Sequence, residues 1–203
     1  MRIIGGRAAG RLLKVPRGYA VRPTPDLVKQ AVFNSLGAKV LGARVLELFA
    51  GSGALGLECL SRGAAEVDAV EKAGRHAAII RQNLDEVGLS SAPYHLRTQD
   101  VFTALPQLAA LGKRYDLILA DPPFGEKNVG YRSKSLSQQL LDDSNVRALL
   151  APEGVFVLGH TKRDTLTLPD EWRELKVLKH GDSMMRFCQP VSVEQSGTHS
   201  YER

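Results

Sequence analysis

Val45-Leu-Glu-Leu-Phe-Ala-Gly-Ser-Gly-Ala-Leu-Gly-Leu-Glu58 is the stretch on which the fold of this chain turns. Its first half is an apolar run of strand length, and its second half spaces apolar residues as a helix does. Between them Gly51, Gly53 and Gly56 spell G-x-G-x-x-G. A strand passing through a glycine turn into a helix opens a doubly wound sheet, where ligands sit beyond the carboxyl ends of the strands. The glycines alone are a weak signal, because Gly51 and Gly53 could simply turn the chain.

The pattern continues on both sides. Arg44–Phe49 reads as the first strand, with its helix ending near Arg62-Gly63. Glu66–Val70 is a second strand, followed by a helix over Ala73–Val87 whose inner side carries Ala77, Ile80, Leu84 and Val87. Tyr94–Arg97 is a third strand, leading to Asp100 and a short helix toward Leu111. Tyr115–Ala120 is a fourth, ending at Asp121-Pro122-Pro123-Phe124. The polar segment Gly125–Ser135 precedes a helix ending near Leu150, then a strand at Val155–Gly159. Two last strands, Leu175–Lys179 and Ser183–Gln189, joined through His180-Gly181-Asp182, are expected to pair antiparallel. Upstream, Thr24-Pro25-Asp26 predicts a helix start with Thr24 as cap, Leu27, Val28, Ala31, Val32 and Leu36 as the apolar face, and Gly37 as the stop. Alternating strands and helices imply a parallel sheet covered on both faces. The expected organisation is a basic β extension over residues 1–23, one α/β domain over 24–189, and a disordered tail over 190–203.

Composition agrees with that plan. A chain of 203 residues accommodates one domain with a short appendage. No apolar run reaches the roughly 18 residues of a membrane span, and the scattered charges of the N-terminus do not resemble a secretory signal. Cys59 and Cys188 are the only cysteines, with no C-x-x-C, so neither a zinc site nor a disulfide framework is expected and a cytoplasmic location is. Both are expected in the core, which disfavours chemistry needing a cysteine nucleophile. The five histidines are scattered without a metal or triad context, and Trp172 reads as a packing residue. Net charge is +5, yet the six basic residues before Asp26 (Arg2, Arg7, Arg11, Lys14, Arg17 and Arg22) meet no acidic one, so the remainder is about −1. Such a run is most often a solvated tail. Here apolar and glycine residues interleave it, which suits a folded arm that displaces counterions from a polyanion.

Two acidic residues bear on the ligand. Glu71 ends the second strand 20 positions after Gly51, where a carboxylate accepts from ribose hydroxyls. Glu47 lies within the first strand, where it would repel a dinucleotide pyrophosphate but suit a cationic ligand. S-adenosylmethionine carries a sulfonium and an ammonium and no phosphate, so it ranks above NAD. The structural alternative is that Glu47 pairs with a lysine or arginine. At the neighbouring strand tip, Asp121-Pro122-Pro123-Phe124 could merely end the strand. Its place at the carboxyl edge suits methylation of an exocyclic amine. The Asp121 carboxylate and a backbone carbonyl accept the amine's hydrogens and aim its lone pair, Pro122 and Pro123 stiffen the loop, and Phe124 stacks on the base.

Leu48-Phe-Ala-Gly-Ser-Gly-Ala-Leu-Gly-Leu-Glu58, Asp121-Pro-Pro-Phe124, Arg2-Ile-Ile-Gly-Gly6 and Arg22-Pro-Thr24 together resemble the RsmD family, over residues 1 to about 189. These are bacterial methyltransferases acting on guanine N2 of 16S small-subunit ribosomal RNA. The resemblance implies a class I methyltransferase fold, a Rossmann-like, doubly wound seven-stranded sheet with its last strand antiparallel. It also implies that S-adenosylmethionine is held by Glu47, Phe49, Ala50, Gly51, Ser52, Gly53, Glu71 with Lys72, and Asp100 with Val101. Arg22 and Thr24 would lie over the cofactor. Asp100 would reach the adenine amine, its structural alternative being a helix cap. The arginine-rich arm would grip RNA within an assembled or partly assembled subunit, the enzyme being a monomer. Two features depart from the family pattern: Glu47 stands where it has Asp, and the 125–135 segment is longer. That segment is either a mobile flap whose Lys127, Arg132 and Lys134 touch RNA or a solvated loop. The Asp-Pro-Pro-Phe signal is shared with DNA adenine-N6 methyltransferases, which stand as the alternative.

Overall fold

In a computed structural model of the chain, described over residues 1–16, 25–125, 127–128 and 131–191, seven strands form one sheet. In chain order the elements are α1 (Asp26–Leu36), β1 (Arg44–Leu48), α2 (Ala54–Ser61), β2 (Glu66–Val70), α3 (Gly74–Glu86), β3 (Tyr94–Arg97) and α4 (Val101–Ala110). Then follow β4 (Tyr115–Ala120), α5 (Leu136–Asp142), α6 (Ser144–Leu149), β5 (Leu150–Thr161), β6 (Trp172–His180) and β7 (Ser183–Pro190). The strand order is β3-β2-β1-β4-β5-β7-β6. The pairs among the first five strands are parallel, whereas β7 runs antiparallel to both β5 and β6. Among the described residues no helix is long and apolar enough to cross a membrane.

Alternation along the strands divides the core in two. Val45, Leu117, Leu119 and Val157 face one way, packing with α1, α2, α3 and the N-terminal segment. Leu46, Leu48, Ile118 and Phe156 face the other, packing with α4, α5 and α6. Both faces of the central strand β4 are therefore dry, which is why it reads as a continuous apolar run. Each fully buried side chain of this size contributes about 1.5–3 kcal/mol.

Several expectations shift. Pro25, not Thr24, is the residue flanking the start of α1, and Thr24 lies outside the described residues. The inner stripe of α1 is Val28, Lys29, Val32, Phe33 and Leu36, while Leu27 is 71 % exposed. One residue is a 100° step, enough to carry Leu27 off a stripe centred between Val28 and Lys29. The single helix expected after residue 135 is two, because Asp143 is extended and its carboxylate caps α6 by accepting from Asn145 N at 2.8 Å. β5 and β6 both begin earlier than expected. Trp172 packs on Phe156 with ring centres 5.4 Å apart and donates to Leu141 O. Cys59 and Cys188 are fully buried, and burial pushes both thiols up, that of Cys188 to about 12.

The basic arm is no loose tail over its described part. Arg2 and Leu12 form an antiparallel bridge, and the turn between them docks on α2. Ile4 N and Gly5 N both donate to the buried Glu58 carboxylate at 2.8 Å, and Ala8 N donates to Ser61 Oγ at 2.9 Å. Gly6, at φ 78°, comes so near α2 that a Cβ would lie 1.9 Å from Ser61 O. Glu58 also pairs with Arg62 at 2.8 Å and with Lys29 at 3.5 Å, the latter pair fully buried. Burial lowers the pKa of Lys29 and Glu58 opposes that shift. The disordered tail expected over 190–203 lies, from residue 192, outside the described residues.

Candidate active site

Register brings the loops together. Leu48 is paired with Val70 on one side and Ala120 on the other, so the segments that follow all leave the sheet at one level. The first of these opens with Phe49 at φ 56°, a left-handed conformation costing a bulky residue about 1–3 kcal/mol. An edge contact with Phe102 at 6.4 Å steadies its ring. Gly51 and Gly53 also have positive φ. Glu71 spans the gap between the loops, its Oε2 accepting from Gly51 N and its Oε1 from Ala73 N, each at 2.8 Å. His76 Nδ1 lies 3.3 Å from the same carboxylate.

Glu47 sits behind the loop. It is 2 % exposed, accepting from Leu55 N at 3.1 Å and from Tyr94 Oη at 3.0 Å. Burial raises its carboxyl to about 7, against the pull of the Gly56 and Leu55 amides and the Tyr94 hydroxyl. A Cβ on Gly56 would stand 2.5 Å from its Oε2, so the third glycine makes room for this carboxylate as well as for helix–strand packing. Among the described residues Glu47 has no lysine or arginine partner, and its carboxylate is buried. Its hydrogen bonds hold the start of α2 and hence the loop.

Asp100 caps α4 by accepting from Phe102 N at 2.9 Å, leaving its side chain exposed beside the loop. Val101 has its side chain in the core, and Lys72 is exposed. Ser52 is buried, and its carbonyl accepts from Asn83 Nδ2 at 2.9 Å. The same Asn83 amide donates to Lys14 O and accepts from Lys14 N, so one buried side chain ties the arm to the glycine loop.

At the tip of β4, Asp121 is half-buried, Pro122 buried, Pro123 exposed and Phe124 41 % exposed. Asp121 rests on Gly159 of β5, where a Cβ would lie 2.2 Å from its Oδ1. Beyond Phe124 the chain folds back, with Gly125 against Ser135 and Asp164. Ser133 Oγ donates to Asp164 Oδ1 at 2.5 Å. Asn128 binds Thr165 N at 2.8 Å and Thr165 O at 3.1 Å. The described part of the 125–135 segment is thus anchored by side-chain hydrogen bonds.

Of the basic residues singled out, Arg2, Arg7, Arg11, Lys14, Lys127, Arg132 and Lys134 are all exposed. Arg2 pairs with Asp26 at 3.2 Å, Lys14 with Glu86, and Arg132 with Asp142 at 2.5 Å. Folding therefore offsets part of the arm's charge with carboxylates from α1 and α3. Arg17, Arg22 and Thr24 lie outside the described residues. Glu58, Asn83, Tyr94 and Gly159 went unnoticed in the sequence. Only Glu58 left a local signal there, an acidic residue inside an otherwise apolar helix.

A 3-2-1-4-5-7-6 sheet with one reversed strand, a glycine turn after β1 and acidic residues closing β2 and following β3 define the class I methyltransferase fold. The family model described as Conserved hypothetical protein 95 matches residues 1–189, and the chain belongs to this family, the RsmD family. The ribosomal RNA small subunit methyltransferase D of Escherichia coli is 34% identical over 173 residues, covering 85% of this chain and 81% of its own. That of Haemophilus influenzae is 32% identical over 189 residues, covering 93% of each. A solved structure of a hypothetical protein from Thermus thermophilus superposes with a TM-score of 0.76 at 28% identity, covering 93% of this chain and 99% of that one.

Proposed function

We propose that this protein transfers a methyl group from S-adenosylmethionine to the exocyclic N2 amine of a guanine in small-subunit ribosomal RNA. The observation that carries the reading is the pairing of Leu48 with Ala120, which sets the glycine loop beside Asp121-Pro122-Pro123-Phe124. The relatives' names support its coarser part, methyl transfer to small-subunit ribosomal RNA.

The residues around the loop fit the donor. The turn offers backbone amides and two left-handed glycines, with the Glu71 and Asp100 carboxylates flanking it. That acidic surrounding suits a cation bearing ribose hydroxyls and opposes a pyrophosphate. The donor would be held by the 49–53 turn, Glu71, Asp100 and the start of α4. When bound, it supplies an electrophilic methyl group on a sulfonium. Asp121 and a loop carbonyl accept the two N–H hydrogens of the guanine amine, drawing its lone pair out of the ring. Phe124 stacks on the base and fixes its plane. Gly159 leaves the room that the Asp121 carboxylate occupies. Glu47 acts indirectly, by holding the loop, and Arg7, Arg11 and Lys127 face phosphates.

The preferred substrate is the RNA within an assembled or partly assembled particle, with the protein acting as a monomer in the cytoplasm. The test is transfer of labelled methyl to small-subunit particles from cells deleted for the endogenous activity. N2-methylguanine is the expected product; transfer to duplex DNA instead would overturn the reading. Asp121→Ala is expected to bind S-adenosylhomocysteine normally in calorimetry while losing turnover. Undiminished turnover would refute its role.

A further inference from the structure

Among the described phenylalanine, tyrosine and tryptophan side chains two are exposed, Phe124 at 41 % and Tyr131 at 57 %. Both belong to the segment that leaves β4, and the two ends of that segment meet where Gly125 abuts Ser135. Tyr131 therefore stands on the loop that begins at Phe124.

The exposure of Tyr131 is held in place. Its carbonyl accepts from Asn128 Nδ2 at 3.0 Å, and its hydroxyl donates to Lys127 O at 3.2 Å. Asn128 is itself buried and bound through its amide to both backbone groups of Thr165. Two residues beyond Tyr131, the buried Ser133 ties the loop to Asp164. The ring is thus fastened at its backbone and at its far end, yet most of it faces water. Exposing a large ring contributes nothing to folding, while an ordered ring loses little freedom when something stacks on it.

Its neighbours carry positive charge. Lys127 and Lys134 are exposed, and Arg132 joins them with its charge shared with Asp142. A fixed aromatic ring set among cations is what single-stranded nucleic acid recognises, the ring taking a base face and the cations the backbone.

Given the proposed reading of Phe124 as the platform for the target guanine, we infer that Tyr131 is a second stacking platform, for an unpaired nucleotide flanking that guanine. Phe124 fixes the plane of the reacting base, and Tyr131 fixes the strand that delivers it.

The test is steady-state methylation of small-subunit particles by Tyr131→Ala, Tyr131→Phe and Tyr131→Trp, with S-adenosylhomocysteine affinity measured by calorimetry on each. Loss of one stacked base weakens binding by about tenfold or more. Tyr131→Ala is expected to raise KM for the particle by that factor, with kcat within about twofold and the S-adenosylhomocysteine affinity intact. Tyr131→Phe and Tyr131→Trp keep a ring and are expected to restore KM to within about threefold of the wild-type value. A KM unmoved by Tyr131→Ala overturns the inference. So does a Tyr131→Phe defect matching that of Tyr131→Ala, because the hydroxyl's bond to Lys127 would then be the whole contribution. If wild-type protein fails to methylate the particle at all, it is the proposed function that fails, before Tyr131 is tested.

Discussion

Gly159→Ala tests the active site through a residue with no reactive group. The new methyl would lie 2.2 Å from Asp121 Oδ1, whereas ordinary contact begins at 3.4 Å. The carboxylate must therefore retreat by about 1.2 Å, the difference of the two distances, since β5 is held by parallel pairing to β4 and antiparallel pairing to β7. A misplacement of about 1 Å in a positioning group costs on the order of a hundredfold in rate, equivalent to about 2.7 kcal/mol of barrier. Overpacking is expected to remove about 1–3 kcal/mol of stability, which urea unfolding measures. The assay is single-turnover methylation of small-subunit particles, with S-adenosylhomocysteine binding by calorimetry as the control. The expected result is kcat down about a hundredfold with donor affinity retained. In the Asp121→Ala background the same substitution is expected to do little more, because the group it displaces has gone. Wild-type kcat in folded Gly159→Ala would refute the claim that Asp121 must be where this structure holds it.

Glu47→Gln probes the buried carboxyl behind the loop. Folded Glu47 keeps its proton up to about 7 whereas its ordinary value is 4.5, so between these values the folded state binds more protons and stability falls as pH rises. The loss amounts to about 3 kcal/mol. Glu47→Gln is expected to remove that slope in urea unfolding at pH 5 and 7.5, and parallel profiles for the two proteins would contradict it. Glu58→Ala leaves Lys29 buried without its carboxylate and frees Ile4 N and Gly5 N. The expected cost is about 3–5 kcal/mol in chemical denaturation, with faster tryptic cleavage of the arm. A loss below about 1 kcal/mol with the arm still protected would show that Glu58 does not anchor it.

Local patterns carried most of the architecture. β2, β3 and β4 have the bounds expected of them, and α3 differs from expectation by a residue at each end. The class of fold and the two loops at its carboxyl edge were also legible, because glycine turns and Asp-Pro-Pro-Phe act over a few residues. Less was visible where two periodicities or distant segments compete. Asp143 splits a helix because its side chain caps the next one better than its backbone continues the last. Leu27 faces water because the sheet, not the count of apolar residues, selects the inner stripe of α1.

By itself, then, the chain determines which segments become strands and helices, and that a glycine turn and an Asp-Pro-Pro-Phe loop follow two of the strands. Those signals are properties of neighbours in sequence. Only the tertiary structure decides that Glu47 faces α2 and Tyr94, that Asn83 joins the arm to the glycine loop, and that Gly159 leaves room for Asp121. Each of these depends on strand register and helix packing between residues far apart in the chain, for which no local pattern exists.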